Sequence, residues 1–260
     1  MMDFRYFLLD ISEDGIALFT VNRQDKMNAM NAEAWQEMAS FFTWASATPQ
    51  IRAVILTGAG DKAFIAGADL NSLAVKSPAD CFNNIAQEAS RQVYNCAKPV
   101  VAAINGFAFG GGCETAVACD FRIVTDTAVF ALPETSLGIL PSGGGTQRLS
   151  RLIGLSRTKE MLLLGRQIDA NEAVRIGLAV ECVPQEALLD TAYKMCRKMI
   201  KRGPLALQAA KKLANVSHAC SEDVGQLLEY FALSALCGTE DKAEGVSAFL
   251  EKRKPTYTGH

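Results

Sequence analysis

The chain has 260 residues, 49% of them apolar, and a formal net charge of −2. That is enough for one large domain, or one domain with a helical annex, around a sizeable core, and the near-neutral balance argues against a nucleic-acid protein driven by bulk charge. Eight dispersed cysteines with no CxxC pair and only two histidines, His218 and His260, argue against structural zinc and for reduced, mostly buried thiols.

The first residues carry Asp3, Asp10, Glu13 and Asp14, which fits neither a secretory signal nor an Arg-rich transit peptide. No uncharged apolar run approaches about 18 residues, so no membrane span is expected and the cytoplasm is the default. Phe7 to Ile11 and Ile16 to Val21 flank Asp14-Gly15, a hairpin signal. Asn31 is placed to cap a helix over about 32–45, with Trp35, Met38, Phe41 and Phe42 on a core face. Ile51 to Thr57 is a continuous apolar run, the pattern of a buried parallel strand. Residues 82–96 predict a helix, and Pro99 to Ile104 the next buried strand. A glycine turn at 110–112 then opens a helix reaching Ala118. Phe121 to Val124 and Ala128 to Leu132 predict further strands of the same mostly parallel sheet, with right-handed crossovers. After Gln147 helical patterns dominate, at 157–164, 171–176, 187–200, 204–216, 221–236 and 242–250, with Ala179 to Val183 as the one late strand. Pro204 suits a first helical turn.

Chemistry gathers in four stretches. The loop Ala63 to Leu70 has small residues that leave backbone N–H groups accessible. Glu114 follows Gly110, Gly111, Gly112 and Cys113, a run that brings N–H groups close to an anion. Glu134 follows Pro133 and precedes Gly138, Pro141, Ser142 and Gly143 to Gly145. The fourth stretch is Phe249 to Lys254. Each has a plainer reading as a tight connection, a helix start, a solvated loop or a surface charge run. Two carboxyl groups beside such donors can divide acid and base work. Cys113 reads as packing behind its turn, His218 as a structural or surface residue of a late helix, and Asp69 as either orienting its loop or simply exposed.

In combination, AFIAGADL, PVVAAINGFAFGGGCETAVACD, LPETSLGILPSGGGTQRL and AFLEKRK resemble the crotonase superfamily, most closely its enoyl-CoA hydratases, over nearly the whole chain. The resemblance implies an α/β fold, a crotonase-like spiral of ββα units with a mostly parallel sheet. It divides the chain into a core at 1–200 and a C-terminal helical oligomerisation region at 201–260. It implies an oxyanion hole from the N–H groups of Ala68 and Gly111, with Glu114 activating water and Glu134 protonating C2 of a 2-enoyl thioester. Oxyanion donors of this kind contribute roughly 3–4 kcal/mol each. Having both glutamates favours hydration over isomerisation. Isomerisation, or hydration of a cyclic or dienoyl thioester, is the alternative within the superfamily. An RNA-binding relative without catalysis would want a more basic surface.

The resemblance further implies that coenzyme A enters only as the thioester substrate, with no metal and no redox cofactor. Substrate contacts are carried over to Lys62, Ala66, Asp69, Leu70, Gly110, Pro133, Gly138 and Ser142. Phe249 and Lys252 match positions that reach a CoA on a neighbouring subunit, in a trimer or dimer of trimers. Asn71 departs from a second lysine in many relatives, and Ser142 departs from a glycine. No nucleic-acid or membrane partner is implied.

Overall fold

The computed structural model describes residues 3–260, a mixed α/β structure with two sheets rather than one. The strands are β1 (Phe7–Ile11), β2 (Ile16–Val21), β3 (Ala53–Gly58), β4 (Ala63–Ile65), β5 (Val100–Ile104), β6 (Phe107–Phe109), β7 (Phe121–Thr125), β8 (Val129–Ala131), β9 (Ile168–Asp169) and β10 (Glu181–Val183). The large sheet runs β1-β2-β3-β5-β7-β10. Its first pair is the expected antiparallel hairpin, and every later pairing is parallel. The small sheet runs β4-β6-β8-β9, with only β9 antiparallel to its neighbour.

Two expectations are corrected here. Residues 128–132 do form a strand, β8, but it belongs to the small sheet. The stretch 63–70 is not a plain loop: it contains β4 and the start of the helix α2 (Leu70–Ala74). Three-residue strands show no alternation to read, and they exist as strands only because they pair with each other. The chain visits the sheets in turn: β3 then β4, β5 then β6, β7 then β8. Between β4 and β5 come α2, α3 (Pro78–Phe82) and α4 (Ile85–Asn95); between β6 and β7 comes α5 (Gly111–Ala118). This is the ββα repeat in its simplest form.

The core lies between the large sheet and α1 (Ala32–Ala47), α4 and α5. Asn31 caps α1 as expected, its side chain accepting from the Ala34 N–H at 2.9 Å. The aromatic residues of α1 face the first strands. The Phe19 and Phe41 rings stack with centroids 3.8 Å apart, and Phe7 stacks on the other face of Phe19 at 4.2 Å. Burying each such ring stabilises the fold by about 1.5–3 kcal/mol. Every residue of β3 and β5 is buried, which is why both strands read as continuous apolar runs.

The second half is helical: α6 (Ser150–Ile153), α7 (Leu155–Leu164), α8 (Ala170–Arg175), α9 (Leu188–Met199), α10 (Pro204–Val216), α11 (Glu222–Cys237) and α12 (Glu240–Leu250). Pro204 is the first residue of α10. Helix α9 packs on the opposite face of the large sheet through Leu188, Ala192 and Cys196. Lys211 of α10 reaches Asp120 at 2.7 Å and the Lys98 carbonyl at 3.0 Å, tying the tail to the sheet. His218 lies in the exposed turn after α10 and not within a helix. No helix among the described residues is long and apolar enough to cross a membrane.

Candidate active site

Glu114 stands in the first turn of α5 and is 3% exposed. Helix α5 begins where β6 ends, and its first turn lies directly on β4: a Cβ at Gly112 would fall 1.9 Å from the Ile65 carbonyl oxygen. The N-cap Gly110 has φ 52° and ψ −122°, a conformation that L side chains rarely adopt. Glycine is therefore required both to turn the chain and to let the helix approach the strand.

The carboxylate of Glu114 is held by the later glycine turn. Its Oε1 accepts from the Gly143 and Gly145 N–H groups, both at 2.7 Å. Arg148 fastens that turn from behind, donating to the Gly143 carbonyl at 2.7 Å while lying over the Tyr94 ring at 4.6 Å from its centroid. Burial pushes the Glu114 carboxyl above its ordinary value, while the Gly145 and Gly143 N–H groups and Arg148 pull the other way.

Glu134 opens a 3-10 turn, Glu134–Leu137, with Pro133 before it and Gly138 ending it at φ 73°. It is half-buried. A Cβ at Gly110 would lie 2.7 Å from its Oε1, so Glu134 sits against the start of the helix that carries Glu114. Its Oε2 is buried and has no hydrogen-bond partner among the described residues. Burial pushes the carboxyl up to about 7; its own backbone N–H opposes the rise and the nearby Glu114 charge adds to it. The Glu114 charge thus adds to a proton affinity that burial has already raised at Glu134.

Two backbone N–H groups near the start of α5 find no acceptor among the described residues. Met30 bridges Ala68 by donating to the Gly67 carbonyl and accepting from the Asp69 N–H, both at 2.8 Å. That parallel pattern turns the N–H of Ala68 away from Met30, and it finds no acceptor among the described residues. Gly111 is the first residue of α5, where helical N–H groups lack internal partners, and its N–H is likewise free. Trp35 lies beside both. It lines a cavity of about 420 Å³ together with Ala68, Asp69, Leu73, Asn83 and Ile85, and a Cβ at Gly111 would meet its Cζ2 at 3.0 Å. The segments also touch directly: a Cβ at Gly67 would lie 3.2 Å from the Phe109 carbonyl.

The remaining expected residues fall in three groups. Asp69 orients its loop: it caps α2 by accepting from the Asn71 N–H at 3.0 Å and pairs with Arg23 at 3.4 Å. Ala66 donates its N–H to the Met27 carbonyl at 3.2 Å, and Leu70 and Lys62 are exposed at either end of the same stretch. Ser142 accepts from Asn84 Nδ2 at 2.6 Å, linking the glycine turn to the N-terminus of α4. Phe249 and Lys252 sit apart, at the exposed end of α12, and among the described residues no hydrogen bond joins them to the glutamate pair. Cys113 is buried and its thiol is pushed far up, above all by burial and then by the glutamate charges, which fits packing and not nucleophilic attack. Sequence reasoning assigned no role to Arg148, Asn84 or Ser90. It placed Trp35 in the core, where it is indeed 3% exposed, without its second role in the cavity wall.

The family model described as enoyl-CoA hydratase/isomerase matches residues 12–260. A crotonyl-CoA hydratase of Syntrophomonas wolfei is 40% identical over 247 residues, covering 94% of this chain and 95% of that protein. A short-chain-enoyl-CoA hydratase of Clostridium acetobutylicum is 38% identical, covering 93% and 94%. The crystal structure of an enoyl-CoA hydratase from Bacillus anthracis superposes with a TM-score of 0.94 at 37% identity, over 98% of this chain and 100% of that one.

Proposed function

The chain belongs to the enoyl-CoA hydratase/isomerase family, as an enzyme of the enoyl-CoA hydratase kind, and we propose that it adds water reversibly across the C2–C3 double bond of a 2-trans-enoyl-CoA to give a 3-hydroxyacyl-CoA. The thioester oxygen takes the N–H groups of Ala68 and Gly111. As water oxygen bonds to C3, the π electrons move through C2 toward that oxygen, where the two donors and the N-terminus of α5 favour negative charge. Glu114, whose ionised form is favoured by two N–H bonds against the opposing effect of burial, accepts the proton from water. Glu134, with a proton affinity raised to about 7, delivers a proton to C2. The net change is one water added, with no electron gained or lost, so the reaction calls for no redox cofactor.

The observation that carries this reading is the contrast between two carboxyl groups at one helix start, one whose Oε1 accepts two backbone N–H groups and one whose buried Oε2 has no partner among the described residues. Coenzyme A enters as part of the substrate, with Lys62 placed for a phosphate and the stretch Ala66 to Leu70 for the thioester arm. Phe249 and Lys252 complete the site of a neighbouring copy in a trimer or dimer of trimers, with residues 201–260 as the assembling region. The exposed Leu227, Leu228 and Phe231 of α11 support that packing. The cytoplasm and fatty-acid β-oxidation suit such an enzyme.

The direct test follows the ultraviolet absorbance of the conjugated thioester with crotonyl-CoA and longer enoyl-CoA substrates. The wild type removes that absorbance. Glu114→Gln keeps an oxygen for both glycine N–H groups, so it folds, yet loses about 100-fold to 10,000-fold in kcat. Absence of turnover at every chain length, or normal turnover by Glu114→Gln, sinks the assignment.

A further inference from the structure

Ser90 lies on α4, is 1% exposed, and its hydroxyl has no hydrogen-bond partner among the described residues. A buried serine in a helix ordinarily donates to the carbonyl four residues earlier; this one does not. Its Oγ lies 3.1 Å from the point a Cβ would occupy at Gly143, and Glu114 Oε2 lies 2.9 Å from the same point. Because position 143 is glycine, no side chain separates the two oxygens, and they lie at most about 6 Å apart, within the reach of a single bridging water. Glu114 Oε1 is already occupied by the Gly143 and Gly145 N–H groups. Oε2 is the oxygen left to act.

We propose that Ser90 is a positioning residue for Glu114, its hydroxyl engaging Oε2 through one water and holding that oxygen in the orientation from which it takes a proton. The inference rests on the hydratase reading and assigns Ser90 no contact with the substrate. Around Glu114 the other charged or titratable groups are Arg148 from the turn after Gly145, Glu134 from the 3-10 turn, and Cys113 next to it on α5. Arg148 gives its guanidinium to the Gly143 carbonyl, and the Ser142 N–H is a further backbone group that favours the ionised carboxylate. A hydroxyl beside a carboxylate serves the ionised state more strongly than the neutral one.

An idle hydroxyl and a positioning one predict opposite outcomes for Ser90→Ala. Removing an idle, unpaired buried hydroxyl leaves kcat unchanged and raises thermal stability. Removing a donor to the ionised carboxylate lowers kcat about tenfold with KM changed less than twofold. It also moves the acid limb of the pH profile to higher pH by about half a unit, because Glu114 then holds its proton more tightly. Ser90→Thr, which keeps the hydroxyl, restores most of kcat. Infrared titration of the Glu114 carboxylate, by difference against Glu114→Gln, gives a readout that needs no turnover: its midpoint rises in Ser90→Ala. Wild-type kcat and an unmoved midpoint in Ser90→Ala overturn the proposal while leaving the hydratase reading intact. An inactive wild type whose Glu114 midpoint still rises in Ser90→Ala sinks that reading and keeps the contact.

Discussion

Glu134→Gln should stabilise the protein above neutral pH and leave it unchanged in acid. The folded state raises the proton affinity of Glu134 from the ordinary 4.5 to about 7, chiefly by burial. A raised carboxyl contributes stability that is fully present below the unfolded value and is lost as pH climbs through the folded one. The wild type therefore loses stability between about pH 4.5 and pH 7, where the folded chain must part with a proton it holds more tightly than the unfolded chain does. Each tenfold change in proton affinity is worth about 1.4 kcal/mol, so the ceiling is roughly 3 kcal/mol; solvent reaching a half-buried carboxyl lowers it to about 1–2 kcal/mol. Glutamine carries no charge at any of these pH values and escapes the loss. Urea unfolding of both proteins at pH 5 and pH 8 measures the difference directly. A gap that closes as pH rises, or a glutamine variant weaker at both, would refute the view that Glu134 is held in a donor-poor pocket.

Gly112→Ala places a methyl 1.9 Å from a backbone carbonyl that cannot rotate away. It should cost about 3 kcal/mol or more, seen as a lower denaturation midpoint. Gly138→Ala, whose methyl meets nothing within 4 Å but whose φ is 73°, should cost only about 1 kcal/mol. Lys211→Met leaves the carboxylate of Asp120 with the Val100 N–H as its remaining donor. Breaking such a pair at low exposure costs about 3 kcal/mol, and α10 should lose its protection from hydrogen exchange before the large sheet does. Unchanged exchange in α10 would show that Lys211 does not fasten it.

Much of the fold was open to reading because its signals are local. The Asn31 cap, the aromatic face of α1 and the fully buried runs of β3 and β5 each announce themselves within a few residues. The small sheet was hidden for the opposite reason. Strands β4, β6 and β9 have three, three and two residues, and each is a strand only through a partner far along the chain. The site divides in the same way. Glu114 and Glu134 stand out beside glycines whose missing Cβ atoms are required by close approach. Arg148 and Ser90 carry no such mark, since an arginine after a glycine turn and a serine within a helix are ordinary in themselves. Their meaning comes from the Gly143 carbonyl and the Glu114 carboxylate, which only folding brings to them.

The difference between the two glutamates originates in the kinds of turn that face them. The turn over 134–138 is a 3-10 turn and uses its N–H groups on itself: Ser136 donates to Pro133, Gly138 to Thr135, and Ile139 to Glu134. Little is left for a carboxylate, and Glu134 Oε2 goes without. The turn over 143–145 closes no such ring through Gly143 or Gly145, and both N–H groups go to Glu114. Arg148 then occupies the Gly143 carbonyl, so the turn is held from outside and its donors stay directed inward. Burial raises the proton affinity of both carboxyl groups, and backbone geometry opposes the rise at Glu114 with two donors that Glu134 does not have, without enlisting any neighbouring cation as a direct partner. A glycine turn forced into 3-10 form would withdraw those donors, and Glu114 would come to resemble Glu134.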